Sequence, residues 1–294
     1  MDTLVKALAL KNAIRVIAID STELVKEACH RHQTLPTASA ALGRTLSMTA
    51  ILGSMLKNSN EKVTVQINGK GPLGTILCDA NGKGEVRGFV ANPEVHFINE
   101  ISHKLDVGKA VGIDGTLKVI RDYQLKEDFT GTVDLQTGEI GEDFAYYFTV
   151  SEQTPSAVLV GVLISKDNEV LSSGALLIQM MPNASETDLL IAEDVVKHLK
   201  PISQMIYEGF TPESMINAIF DDVEILSSNP VRFVCSCSHD RMQQALTTLD
   251  KESLISMIND DKGCEIVCHF CNTAYQFNED ELKALQLSNE TVED

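Results

Sequence analysis

Four cysteines near the C-terminus constrain this chain more than any other feature: Cys235 and Cys237 in C-S-C, then Cys268 and Cys271 in C-H-F-C. Two close pairs about 30 residues apart form the pattern of a tetrahedral thiolate zinc site. The segment that carries them is too short to build a secure apolar core alone. Four thiolates around one zinc ion would supply what the core lacks, since structural zinc is worth roughly 10–16 kcal/mol in small peptides. A shell closed by four sulfurs has no open position for water, so such a zinc would not be hydrolytic. The first pair has one residue between its sulfurs, where common zinc ribbons have two. A disulfide across C-x-C closes a very small ring, demands a bent backbone and gains little loop entropy. It suits a reversible bond better than a permanent one. Zinc-bound sulfur stays electron-rich and open to peroxide or hypochlorous acid, and oxidation of either pair withdraws ligands. On spacing alone, a redox switch and a purely structural zinc knob stand level.

Other side chains compete for the same role. Cys264 precedes the second pair by four positions, and His239 and His269 lie beside the pairs. The close pairs are the expected clamp, which leaves Cys264 as a half-buried spare thiol. Cys29 and Cys78 fall in an expected helix and strand, where core packing is the better reading.

Composition narrows the function classes. The formal net charge is −18, and the 24 basic residues are scattered. A nucleic-acid surface needs clustered Lys and Arg, so nucleic acid is not expected as a partner. Trp is absent and aromatics make up only 5% of the chain, too few for an extended base-stacking platform. The N-terminal MDTLVKALALKNAIRV is neither a signal peptide nor a membrane span, which places the expected protein in the cytoplasm with no membrane partner. Thiols are reduced there, so seven cysteines read as ligands or redox-active groups rather than a disulfide framework.

The pattern of apolar residues and turns predicts an α+β chain in three parts: an N-terminal domain over 1–181, a helical linker over 182–230 and a zinc-binding module over 231–294. Ile14 to Asp20 reads as a strand, and Ser21 or Thr22 as the cap of a helix running toward His32. Pro36 opens a longer helix whose small and apolar residues lie on most sides, so it is expected to be buried and central. Strands are expected at Val63–Ile67, Thr75–Cys78, Glu85–Val90, Leu117–Arg121 and Thr130–Leu135, a helix over Glu139–Thr149, and a hairpin from Ala157–Ile164 and Val170–Gln179. Consecutive strands with short turns favour an antiparallel sheet. In the linker, Pro201 and Pro212 divide short amphipathic helices that are marginal in water and must lean on another surface.

Two further patterns carry less. Gly69-x-Gly71-x-x-Gly74 matches a dinucleotide fingerprint, but strand and turn follow it where the fingerprint needs a helix, so the glycines read as turn residues. No catalytic constellation stands out. Asp79, Glu85, Asp106, Asp122, Glu139, Glu142 and Asp143 read as solvated carboxylates.

Taken together, these residues resemble the heat-shock protein 33 family of redox-regulated holdase chaperones over essentially the whole chain. The resemblance rests on PTASAALGRT (36–45), GKGPLG (69–74), DANGKGEVRGFVANP (79–93), LDVGKAVG (105–112), FTGTVDLQTGEIGEDFAYY (129–147) and SEQTPSAVLVGV (151–162), then VRFVCSCSHDR and CHFCNTAYQF. It implies one Zn²⁺ per chain, bound by Cys235, Cys237, Cys268 and Cys271 in a reduced, inactive protein. It implies disulfides Cys235–Cys237 and Cys268–Cys271 on oxidation, loss of the zinc, and unfolding of the module and linker. The exposed apolar surface would then hold unfolding client proteins without ATP, and the active form would tend to be a homodimer. Cys264 lies outside the four-cysteine pattern. On this reading the chain is no enzyme. The alternatives are a thiol–disulfide oxidoreductase using Cys268 and Cys271, and a structural zinc ribbon that binds nucleic acid.

Overall fold

The computed structural model describes residues 1–290. They form two compact units, one spanning Met1–Val234 and one beginning at Cys235. The first opens with β1 (Thr3–Ala9), β2 (Ile14–Asp20), α1 (Thr22–His32) and α2 (Pro36–Ser54). Next come β3 (Lys62–Asn68), β4 (Ile76–Asn81), β5 (Glu85–Val90), α3 (Val107–Val111), β6 (Thr116–Asp122) and β7 (Phe129–Asp134). Helix α4 (Gly141–Val150) leads into the hairpin β8 (Ser156–Ile164) and β9 (Val170–Met180). Three helices follow, α5 (Glu186–His198), α6 (Ile202–Tyr207) and α7 (Pro212–Ile219), and then β10 (Glu224–Pro230) and β11 (Arg232–Phe233). The second unit contains α8 (His239–Leu246), α9 (Lys251–Asn259), β12 (Gly263–Val267), β13 (Ala274–Asn278) and α10 (Glu279–Glu290). The chain is therefore α+β, as its patterning predicts.

The first unit has two sheets where the sequence suggested one. Their strand orders are β10-β1-β2-β9-β8 and β11-β5-β4-β3-β6-β7. Pairing is antiparallel throughout, except that β11 runs parallel to β5. Helix α2 packs against strands of both sheets and is buried from Pro36 to Gly53 except at Arg44. Three of its buried hydroxyls are satisfied within the helix: Thr45, Ser47 and Thr49 donate to the carbonyls four residues back, at 2.7–2.8 Å. Arg44 reaches outward to Glu139, 2.6 Å from its carboxylate.

The five-stranded sheet is apolar on both faces, which explains why β2 and β9 are buried almost continuously. Leu4, Ile17 and Ile19 join the core around α2. Val5, Ala7, Val16, Ala18, Leu176 and Ile178 belong to a second cluster with Ile202, Met205, Met215, Ile216 and Phe220 of the following helical segment. Alternate residues of a strand point to opposite faces, so such a sheet requires a cover on each side. Helix α6 is closely fitted. It lies over Gly161 and Gly174, which are register partners, and a Cβ on either would collide with Ser203 or Ile206. Ser172 Oγ donates to the Ser203 carbonyl at 2.7 Å. Helix α5 is looser: Ala192 is its one buried residue, while Leu189, Leu190 and Ile191 are exposed.

Several local expectations change. Strand β1 and strand β10 were not foreseen. The start of α1 is not capped by Ser21 or Thr22, because Ser21 Oγ is engaged with Ser47 Oγ at 2.7 Å and Ser173 Oγ at 3.1 Å. Asp2, distant in sequence, takes that role and accepts the N–H groups of Glu23 (3.0 Å) and Leu24 (2.7 Å). Asp143 is not solvated. It is fully buried and accepts the N–H groups of Gln136, Thr137, Gly138 and Ile140, fixing the loop before α4. Asp79, Glu85 and Glu139 are paired with Arg87, Arg232 and Arg44. Among the described residues, no helix is long and apolar enough to cross a membrane.

The Asp2 cap carries a pH signature. Burial pushes its carboxyl up to about 6 from an ordinary 3.8, against the two helix N–H groups that favour the anion. The folded state thus holds a proton that the unfolded chain releases near pH 4. Asp2 contributes its full stabilisation below that pH and loses it as pH rises through about 6. Unfolding of the reduced protein across pH 4–7 is expected to show this decline, up to about 3 kcal/mol. Asp2→Asn is expected to flatten it, and an unchanged slope in that variant contradicts the assignment.

Candidate metal centre

The second unit has a small apolar core: Leu246, Leu254, Ile258, Phe277, Leu282 and Leu285, with Met242, Met257, Cys264, Ile266 and Tyr275 packed against it. Beside this core, two short backbone devices present sulfur. Strands β12 and β13 pair from Gly263↔Asn278 to Val267↔Ala274, and the connection between them carries Cys268 and Cys271. The connection is tight: Cys268 N–H donates to Thr273 O at 2.9 Å, and Asn272 N–H to Cys268 O at 2.7 Å. Asn272 takes the left-handed conformation (φ 57°) that reverses the chain, one that Asn tolerates better than most residues. Cys235 and Cys237 lie in a stretch without regular secondary structure just before α8. Residues i and i+2 of an extended stretch share a face. Arg241 of α8 secures the intervening Ser236 by donating to its carbonyl (2.9 Å) and hydroxyl (2.7 Å). Ser238 caps α8 by accepting the Arg241 N–H.

The result is a cluster in which the sulfurs of Cys235, Cys237, Cys268 and Cys271 all lie within 4.8 Å of one another. Cys235 and Cys268 are 3.7 Å apart, and Cys237 and Cys271 are 3.3 Å apart. Four sulfurs at ~2.3 Å from one tetrahedral ion stand ~3.8 Å from each other. Donor type, number and spacing therefore fit a closed thiolate metal site. Cys268 and Cys271 are buried, while Cys235 and Cys237 are half-buried, so an oxidant has its easier approach to the first pair.

The surrounding groups bias the protons. Burial, reinforced by neighbouring thiols, pushes Cys237 up to about 12, although Tyr275 Oη donates to its sulfur at 3.1 Å. That hydrogen bond in turn pushes the Tyr275 phenol up to about 12. Burial also raises Cys268. Cys271 goes the other way. Burial opposes its ionisation, but the Thr273 hydroxyl at 3.2 Å, the Thr273 N–H and the adjoining thiols bring it down to about 7. Thr273, Tyr275 and Arg241 escaped the sequence reading, since only the hairpin and the α8 cap bring them to the sulfurs.

The rival ligands stand apart. Cys264 is half-buried against the small core, where burial raises its thiol, and it is outside the cluster. His239 stacks on Phe277 with ring centroids 4.3 Å apart, and its Nε2 lies 3.3 Å from Gln276 O. His269 is exposed on the tight connection. Cys78 is buried in the core of the first unit and Cys29 packs at its margin. The Gly69–Gly74 turn leads into β4 with no helix, and its backbone docks on α3 through Gly71 N–H to Val111 O and Leu73 N–H to Ala110 O.

Comparison with known proteins agrees with this geometry. The family model described as Hsp33 protein matches residues 2–278. A 33 kDa chaperonin of Bacillus subtilis (strain 168) is 47% identical over 287 residues, covering 97% of this chain and 98% of that protein. A 33 kDa chaperonin of Staphylococcus aureus (strain Newman) is 45% identical over 286 residues, covering 97% of each. A crystal structure of the 33 kDa chaperonin of Thermotoga maritima, a heat shock protein 33 homolog, superposes with a TM-score of 0.90 at 33% identity over 99% of both chains.

A metal bound by these sulfurs must displace protons from Cys237 and Cys268. Zinc affinity, read by competition with a chromogenic chelator, is expected to fall at least about tenfold per unit as pH drops from about 8 to about 6. Affinity that is flat across this range contradicts a thiolate site.

Proposed function

The chain belongs to the Hsp33 family, and from that premise we propose that it is a redox-regulated, ATP-independent holdase chaperone of the cytoplasm. Its partners are unfolding proteins, and it acts by binding without catalytic turnover. The observation that carries the reading is the four-sulfur cluster, seated in a unit whose own apolar core is small. In the reduced state, Cys235, Cys237, Cys268 and Cys271 hold one Zn²⁺, which supplies a cross-link worth more than that core. Oxidation joins Cys235 to Cys237 and Cys268 to Cys271. Each thiolate pair gives up two electrons to one peroxide, which takes up two protons and leaves as two waters, and the two disulfides formed together remove all four thiolate donors. The cluster brings sulfurs together across the pairs as well as within them, so this pairing rests on the family resemblance.

The functional division is an N-terminal core over 1–181, a linker over 182–230 and a switch module over 231–294. The linker helices cover an apolar sheet face, and α5 is held by little of its own burial. Loss of the module's cross-link destabilises the chain that leads into it, the cover loosens, and the uncovered face binds apolar segments of clients. An uncovered face also favours homodimers, while the net charge of −18 keeps such a species soluble. The oxidoreductase alternative is less well supported, because Cys268 and Cys271 are buried on a turn between strands and away from a helix start.

Aggregation of a heat-labile client, followed by light scattering, tests the proposal. Protein pretreated with peroxide is expected to suppress scattering at near-stoichiometric ratios, and the reduced, zinc-loaded protein to leave it nearly unchanged. Equal suppression by both forms contradicts the switch. Cys268→Ser replaces a thiolate with a neutral hydroxyl, and is expected to lower zinc affinity and to give partial holdase activity without oxidant. Full zinc occupancy in that variant contradicts the ligand assignment.

A further inference from the structure

Strand β10 occupies the edge of the five-stranded sheet in an unusual way. It pairs antiparallel with β1 from Thr3↔Pro230 to Leu8↔Glu224, with an irregularity between Lys6 and Ala7. Six of its seven residues are exposed, and only Ser227 is half-buried. Ile225 and Leu226 are among the exposed large apolar residues. Its hold on β1 therefore comes from the main-chain ladder, which does not depend on sequence. The opposite edge differs. Every residue of β8 is half-buried, with Val158, Val160, Val162 and Ile164 packed on one core and Ala157 and Leu159 on the other. That edge is held by its side chains and by its fit to particular neighbours.

Past Pro230 the chain crosses from one sheet to the other. Val231 N–H donates to Asp2 O, Arg232 N–H to Gly84 O and Val234 N–H to Val86 O, at 2.9–3.1 Å. Val231 is buried, Phe233 lies under Arg31, and Arg232 makes an exposed ion pair with Glu85. The next residue is Cys235 of the cluster. Residues 224–234 thus form a strap, fastened mainly through backbone and running directly into the switch cysteines.

We propose that the β1 edge is a client-binding edge: when the strap is released, an extended segment of an unfolded protein takes β10's place by antiparallel strand addition. The proposal rests on the chaperone reading above and specifies the kind of partner it takes. An edge stripped of its neighbour presents unpaired N–H and C=O groups that bind extended chains. The vacated ladder spans about six residues, one ordinary strand. Beside it on the sheet lie Val5 and Ala7, which share a cluster with Met215 and Ile216 of α7. An incoming strand with apolar residues at alternate positions would meet that face once the helix has left. Main-chain recognition accounts for tolerance of many client sequences. It also disfavours native proteins, whose extended segments are mostly paired or protected at their edges.

Backbone hydrogen exchange on the full chain tests this in three states: reduced with zinc, oxidised alone, and oxidised with a permanently unfolded, reduced and carboxymethylated protein. The alternate amides of Leu4–Leu8 that face β10 rather than β2 are expected to exchange at least about tenfold faster after oxidation. They are expected to regain protection in the client complex, while Ile225–Asn229 remain fast. Protection of these β1 amides that survives oxidation while client is held overturns the proposal, as does a complex in which they stay unprotected. Protection that returns without client as protein concentration rises makes a second copy the occupant and also overturns it. Oxidised protein that fails to hold client in the scattering assay overturns the chaperone reading itself, and this proposal with it.

Discussion

The first unit depends on a sheet that is apolar on both faces. One face of β10-β1-β2-β9-β8 closes on the buried helix α2, and that closure is permanent in character, with α2 enclosed along nearly its whole length. The other face is closed by α6 and α7, short helices that would not persist alone in water. Sheet and helices need each other unequally. The sheet has its ladder and its α2 core besides the helices, whereas the buried apolar residues of α6 and α7 pack on this one sheet face. A cover of that kind is a natural site of low local stability. The fit of α6 over Gly161 and Gly174 opposes loss of the cover, and the exposed apolar residues of α5 favour it.

The four-sulfur cluster places a second dependence at the far end of the same segment. A unit with few buried apolar side chains would gain from a metal held by these four sulfurs what its size denies it. Under the proposed function, each sulfur is both ligand and oxidisable group, and one chemical event removes the metal's donors and the unit's cross-link together. Against its burial, the Thr273 N–H and the adjoining groups bring Cys271 down to about 7 and so favour its anion, the form that binds metal and reacts with oxidant, whereas burial holds Cys237 up in spite of the Tyr275 hydrogen bond. Stability and reactivity thus have a single source.

Much of this was legible in the sequence because it is local. The cysteine spacing, the Pro36 helix start, the prolines that divide the linker, the alternation in β3 to β6 and the apolar runs of β8 and β9 each declare themselves within a few residues. What escaped is non-local. TLVKALA gives no clear period-two signal, since β1 is buried on parts of both faces. EILSSNP has no alternation at all, because β10 pairs through its backbone while its side chains face solvent. The Asp2 cap on α1, the buried Asp143 and the Tyr275 hydrogen bond all join residues that only the folded chain brings together. The cysteine pattern picked out the four thiols that the fold brings together; the hairpin and the Arg241 clamp explain how one residue of spacing suffices at C-x-C and two are used at C-x-x-C.

The central claim is that one oxidation event removes the thiolate donors and loosens the linker cover. A single titration with peroxide tests it, following released zinc, remaining thiols and the rate of proteolytic cleavage within residues 182–230. The account predicts that four thiols and one zinc are lost together per chain, and that linker cleavage accelerates in step with them. Zinc retained after the four thiols are consumed, or a linker that stays resistant once zinc is lost, would contradict it.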